Sequence, residues 1–150
     1  MSLSVKSKGF TLLELMVVAI IIAILLLIAV PIYQDYEQRS RRTDAMNSLL
    51  KLQAEQEKYR TTCINYAKQL VGTRTCNAGT TTFILGHENN SSQDGYYTLA
   101  ILNGADAVSY TMTATPQVGG LQDGDACGTF AINQDGPLHT GYANEQCWRR

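Results

Sequence analysis

Between Leu15 and Val30 the chain runs through sixteen consecutive apolar residues, and Phe10 to Leu13 lengthen the stretch enough to cross a bilayer as a helix. Glu14 interrupts this run within its first turns. An unpaired carboxylate at such a depth costs about 2.5–3.5 kcal/mol on insertion scales, so the sequence calls for a partner charge. Ahead of the run, residues 1–9 are short, polar and basic through Lys6 and Lys8, like the n-region of a targeting segment, and these lysines are expected to stay cytoplasmic. No small-residue cleavage pattern follows, because the run ends in "IAVPIYQDYEQRSRR". The segment therefore reads as a retained membrane helix, with the remainder of the chain beyond the membrane.

Pro31 lacks an N–H and clashes with the carbonyl one turn back, so a kink is expected there. The following "YQDYEQRSRRTDAMNSLLKLQAEQEKYR" has neither Gly nor Pro and is dense in strong helix formers, so the helix is expected to resume and reach about Arg60. Ala45, Met46, Leu49, Leu50 and Leu52 recur at three- and four-residue spacings and draw an apolar face. The next section, "TTCINYAKQLVGTRTCNAGTTT", has too few periodic apolar positions for a long element and reads as a loop with room for one helical turn. Phe83 to Leu85 reads either as an edge strand or as loop. "GYYTLAIL" and "AVSYTMTAT", separated by the turn formers of "NGAD", predict a hairpin, and "CGTFAIN" with "QDG" and "PLHTGY" predicts a second. The expected architecture is α+β: a long N-terminal helix whose amphipathic half packs against a small antiparallel sheet.

Charge and cysteine placement narrow the functional classes. From Cys76 to Trp148 there are seven acids (Glu88, Asp94, Asp106, Asp123, Asp125, Asp135, Glu145) and no Lys or Arg, which disfavours nucleic acid as a partner of that surface. Cys63, Cys76, Cys127 and Cys147 contain no CxxC, so compact zinc spacings are absent and no metal or other cofactor is expected. An even set behind a membrane segment points to an oxidising compartment. Of the three pairings open to four cysteines, chain order makes Cys63–Cys76 with Cys127–Cys147 the least costly, while four reduced cysteines are the bland alternative. His87 and His139 lie in no nucleophile, base or metal motif, so no catalytic residue is assigned and an enzyme is not expected. Asp123 and Asp125 read as a solvated acidic loop in preference to a calcium site. The two N-x-S sequons of "NNSS" look like any exposed loop.

The segment "KGFTLLEL" closely resembles the processing motif of type IV pilins. The resemblance implies that a prepilin peptidase cuts between Gly9 and Phe10, that the new amine of Phe10 is methylated, and that Glu14 is the acid needed for assembly. The physics agrees: cleavage creates an ammonium about one helical turn from Glu14, and in a filament the carboxylate can meet a neighbouring subunit's amine. Pro31 matches the proline at which the family's helix bends. "YTMTATP", "GDACGTFAINQDG" and the closing "CW" resemble the head of PilE-type minor pilins, whose C-terminal loop is closed by the disulfide matching Cys127–Cys147. Ala23 stands where family members often carry Gly, so unwinding there is expected to be harder. The implied organisation is a leader at 1–9, a transmembrane and assembly helix at 10–31, an amphipathic helix at 32–60 and a disulfide-stapled head at 61–150.

The implied function is that of a minor pilin in pilus priming and the tip complex, supporting twitching motility or adhesion. A major pilin, a DNA-uptake pilin, a type II secretion pseudopilin and a membrane-anchored binding module are the alternatives. Implied partners are other minor pilins, the major pilin, the prepilin peptidase, the inner-membrane assembly platform and membrane lipid. The implied location is the inner membrane before assembly and the extracellular pilus after it. Tyr142 and Trp148, close to Asp135 and Glu145, are the expected interaction surface, with Trp148 packed on the sheet or on a neighbour.

Overall fold

The computed structural model describes residues 9–79, 81–102 and 104–149. The leader up to Lys8, Asn103 of the expected "NGAD" turn and Arg150 lie outside the described residues. The chain divides into two compact units, one ending at Glu37 and the other formed by Gln38–Arg150.

A single helix, α1, spans Leu12–Arg60 and continues through Pro31. Its start is capped locally: Thr11 Oγ1 accepts the amide of Glu14 at 3.2 Å, and the Leu15 amide donates to the Thr11 carbonyl at 3.3 Å. Thr-x-x-Glu is the capping-box pattern, and an acid in the first turn suits the positive end of the helix dipole. Lys58 and Arg60 occupy the last turn, where cations are favoured. In the first unit the apolar side chains from Phe10 to Ile32 are exposed along the helix, which is long and apolar enough to cross a membrane.

In the second unit α1 buries one stripe: Ala45, Met46, Leu49, Leu52 and Tyr59 enter the core, together with Asp44, Ser48 and Gln56. Leu50, expected on the apolar face, is 44% exposed. Its position, one residue past Leu49, rotates it away from the stripe.

Two sheets complete this unit. The larger comprises β4 (Tyr97–Ile101), β5 (Thr111–Pro116), β6 (Phe130–Asn133) and β7 (Gly136–Leu138), antiparallel in chain order. Tyr97 opposes Pro116, Thr111 opposes Asn133 and Asn133 opposes Gly136. Both expected hairpins are therefore present. Tyr97 and Leu99 alternate inward along β4 and meet Met112, Ala114, Phe130 and Ile132 in the core shared with α1. Phe130 stands edge-on to Tyr97 at 5.9 Å between ring centroids.

The smaller sheet corrects the loop expected after the helix. β1 (Gln69–Val71), β3 (Thr82–His87) and β2 (Thr75–Asn77) form a three-stranded sheet in that order, β1 parallel and β2 antiparallel to β3. Three-residue strands are too short to display an alternation, which explains why the sequence reads as loop. The chain between β1 and β2 passes so close to β3 that a Cβ on Gly86, at φ +107°, would lie 2.8 Å from Cβ of Arg74. Glycine is needed at that crossing.

Candidate functional site

Three groups of side chains are the candidates for function in this chain. At the N-terminal end, Gly9 and Phe10 are exposed immediately before the Thr11 cap, and Glu14 is exposed on the first turn of α1. An accessible Gly–Phe bond ahead of a capped helix is sterically open to proteolysis. Phe10 lies just ahead of the cap and Glu14 four residues on, in the first turn of α1.

The second group fixes the start of the head. Arg42 grips Asp125 with two bonds, Nε to Oδ2 at 2.8 Å and a terminal nitrogen to Oδ1 at 2.5 Å, and the Asp125 side chain is 0% exposed. Asp125 also accepts the side-chain amide of Gln122. Of the expected solvated pair, only Asp123 faces water, because Arg42 draws Asp125 inward. Asp44, also buried, accepts the Ser92 hydroxyl at 2.5 Å and the amides of Asp94 and Tyr96 at 3.1 and 3.4 Å, and thereby holds the loop entering β4. Burial pushes the Tyr97 phenol up to about 12, opposed by the hydrogen bond from Gln122 and reinforced by the charge of Asp125.

The third group surrounds the Cys63–Cys76 disulfide, whose Cα atoms are 5.7 Å apart. The Tyr59 hydroxyl, near the end of α1, donates to the Thr75 carbonyl and joins helix to β2. The Arg74 guanidinium lies 5.0 Å from the Tyr59 ring centroid, and the Lys68 ammonium 5.6 Å from that of Phe83. Arg60 donates to the carbonyls of Ala107 and Cys63 and so joins two loops, which the Tyr66 amide also ties together through the Asp106 carbonyl. Lys58 and Arg60 of the last helical turn and Lys68 and Arg74 of the Cys63–Cys76 loop are a set of cations, the basic rim, of which Lys58, Lys68 and Arg74 are exposed. Glu57 and Asp106 temper this basic rim. Glu57 accepts the hydroxyls of Tyr66 and Tyr110, and burial first, with that charge, pushes both phenols up. The amides of Val108 and Ser109 hold the Asp106 carboxyl below its ordinary range.

A second disulfide joins Cys127 to Cys147, with Cα atoms 5.9 Å apart. Directly after it, Trp148 packs edge-on against Phe130 at 5.5 Å and lies 6.5 Å from the His139 ring, so its ring is placed on the sheet. Tyr142, six residues earlier in the chain, is half-buried. His139 is turned to the Ala143 carbonyl and His87 to Glu55 at 2.6 Å. Among the described residues no cluster of His, Cys, Asp and Glu is arranged to hold a metal ion.

The basic rim is what sequence reasoning missed. A charge window starting at Cys76 leaves out Lys68 and Arg74, which follow Lys58 and Arg60 in the chain and stack on Phe83 and Tyr59. A signal was present, since both cations lie within the Cys63–Cys76 span that the cysteine spacing had already marked as a closed loop.

A long apolar-to-amphipathic helix packed on antiparallel strands of a disulfide-bonded head defines a subunit of type IV pilin-like α+β fold. Comparison with known proteins agrees. Residues 5–30 match the prokaryotic N-terminal methylation motif, and residues 31–131 match the family described as type IV minor pilin ComP, DNA uptake sequence receptor. The chain belongs to this family of type IV pilins. It is 60% identical to fimbrial protein EcpC of Eikenella corrodens over 40 residues, 27% of this chain and 26% of that protein. It is 56% identical to a fimbrial protein of Pseudomonas aeruginosa over 50 residues, 32% of each. With prepilin peptidase-dependent protein D of Escherichia coli the identity is 40% over 74 residues, 49% of this chain and 46% of that protein. The chain thus spans between about a quarter and a half of the length of these curated relatives.

Proposed function

We propose that this chain is a minor pilin whose head contacts DNA during uptake, after a prepilin peptidase has cut between Gly9 and Phe10 and the exposed α1 has entered a type IV pilus. The observation that carries this reading is the family match over residues 31–131, whose description names a DNA uptake sequence receptor. The basic rim supplies the matching chemistry. Exposed Lys58, Lys68 and Arg74 offer cations to a phosphate backbone, and such contacts release counterions and make binding fall with salt. The acids between Cys76 and Trp148 repel a duplex from other faces and so favour a single approach.

Priming of assembly and a place in the tip complex remain the second reading. It is favoured by the exposed acids Asp94, Asp123, Asp135 and Glu145, a surface better suited to pilin partners than to nucleic acid.

Titration of fluorescent duplex DNA with the detergent-solubilised mature protein at several salt concentrations tests the first reading. The expected result is binding whose log–log salt slope becomes shallower by about 1 for each of Lys68→Ala and Arg74→Ala. Unchanged affinity and slope in the double variant would remove the rim from the function. Absence of any binding at low salt would leave the priming reading.

A further inference from the structure

The loop between β5 and β6 presents two apolar side chains to water. Val118 is 96% exposed and Leu121 65% exposed, and they flank Gly119 and Gly120. Apolar side chains so open to water are ordinary singly, but here several backbone groups beneath them are bonded within the head. The Gly120 amide donates to the Gln117 carbonyl at 2.9 Å and the Asp123 amide to the Gly120 carbonyl at 3.0 Å. The Gly119 amide is held by Asp123 Oδ2 at 2.7 Å, and the Leu121 carbonyl accepts from Arg41 at 3.2 Å. A loop that presents apolar side chains over internally bonded amides and carbonyls enters a lipid interface without stranding polar groups.

Its location in the head selects the occupant. The loop is fastened to the first residues of the head helix: Arg41 holds Leu121, the Gln122 side-chain amide donates to the Gln38 carbonyl at 3.3 Å, and Arg42 holds Asp125. Chain order puts Tyr33 and Tyr36, both exposed, just ahead of these residues and just after the apolar run. Such aromatics sit at the headgroup level of a membrane. Only five residues of chain lead from Tyr33 to Gln38, a tether of about 18 Å even if fully extended. Chain length alone therefore keeps the residues that fasten the loop within reach of the headgroup layer whenever α1 spans the bilayer. Asp35, Glu37 and Asp123 offset Arg39 and Arg41, so the attraction is apolar more than ionic.

We infer that Val118 and Leu121 insert shallowly into the phospholipid interface and hold the unassembled head against the membrane, a contact broken when the subunit is drawn into a filament. The inference rests on the reading of α1 as a membrane span. Full-length Val118→Trp protein in phosphatidylethanolamine–phosphatidylglycerol vesicles tests it, with a fraction of the lipid brominated near the headgroup end of its acyl chains. Wild type, whose single Trp148 packs on the sheet, is the reference. The expected result is bromolipid quenching and a blue shift in the variant, both absent from wild type and both lost when Leu121→Glu is added.

Protein that fails to float with the vesicles would overturn the membrane span and the inference together. Protein that floats but shows no quenching beyond wild type would overturn the loop contact alone. A blue shift that occurs equally in detergent and grows with protein concentration would place a second copy on the loop and also overturn the contact.

Discussion

Arg42 and Asp125 stand 83 positions apart in sequence and meet as a bidentate pair with the carboxylate fully enclosed. Removing only the cation leaves a buried charge unanswered, which costs roughly 3–5 kcal/mol, whereas replacing both partners by apolar groups of similar volume is far milder. Arg42→Met is accordingly expected to lower the unfolding midpoint sharply in urea titrations of the solubilised protein. The Arg42→Met, Asp125→Leu double variant is expected to recover most of the loss, and equal loss in both would show that the pair acts through packing alone. The enclosed tyrosines give a second measurable consequence. With the Tyr97 phenol raised from 10.0 to about 12 and that of Tyr110 raised further, these two phenols keep their protons in folded and unfolded chains alike well below pH 10. Above it the unfolded chain loses its protons first, so stability falls as pH rises, by about 1 kcal/mol per pH unit for each such group. Urea midpoints from pH 8 to 11.5 should be flat and then decline, and Tyr110→Phe should soften the decline. At this scale the sequence was a partial guide. Cystine pairing follows chain order, but the different fates of Asp123 and Asp125 depend on Arg42, a long-range encounter that no local pattern records.

Among the elements, those with a full period or a clear turn signal were legible and those with neither were not. Strands β4, β5 and β6 carry aromatic or β-branched residues, the three-residue β7 is announced by the turn ahead of it, and α1 has an unbroken supply of helix formers over its second half. β1 and β2 have three residues each and borrow their order from β3 and from the Cys63–Cys76 cystine. Restricting a loop of 13 residues is worth about 3 kcal/mol in the unfolded chain. The Cys63→Ser, Cys76→Ser variant should therefore unfold earlier by about that amount. It should also lose hydrogen-exchange protection at β1 and β2 well before β4–β6, and uniform loss across both sheets would contradict this division. The interior of β3 is marked by Phe83 and Leu85 pointing inward, the only part of the smaller sheet that the residues themselves announce.

For the whole molecule, the decisive residue is Glu14. It is both the fourth member of a Thr-x-x-Glu cap and the proposed partner of a filament amine, and Glu14→Gln separates these roles because glutamine serves a capping box but carries no charge. The variant is expected to insert and to be cut after Gly9, as read by mass spectrometry of membranes, yet to be missing from sheared filaments. Wild-type levels in the filaments would reduce Glu14 to a cap. The architecture was largely readable from the N-terminal third of the chain, while the basic rim was not, because charge belongs to surfaces and a linear window cuts across them. The cystines, 13 and 20 positions apart, both close local loops, and neither joins α1 to the four-stranded sheet. Under tension along a filament, that joint is thus a shear seam made of packing, hydrogen bonds such as Gln53 to the Asn133 carbonyl, the Asp44 loop clasp and an enclosed ion pair, which yields without rupture of any covalent bond. The residues inside the Cys63–Cys76 ring cannot be drawn out, so the connection that a sheared head lets out between α1 and β4 is shorter by the length of that ring.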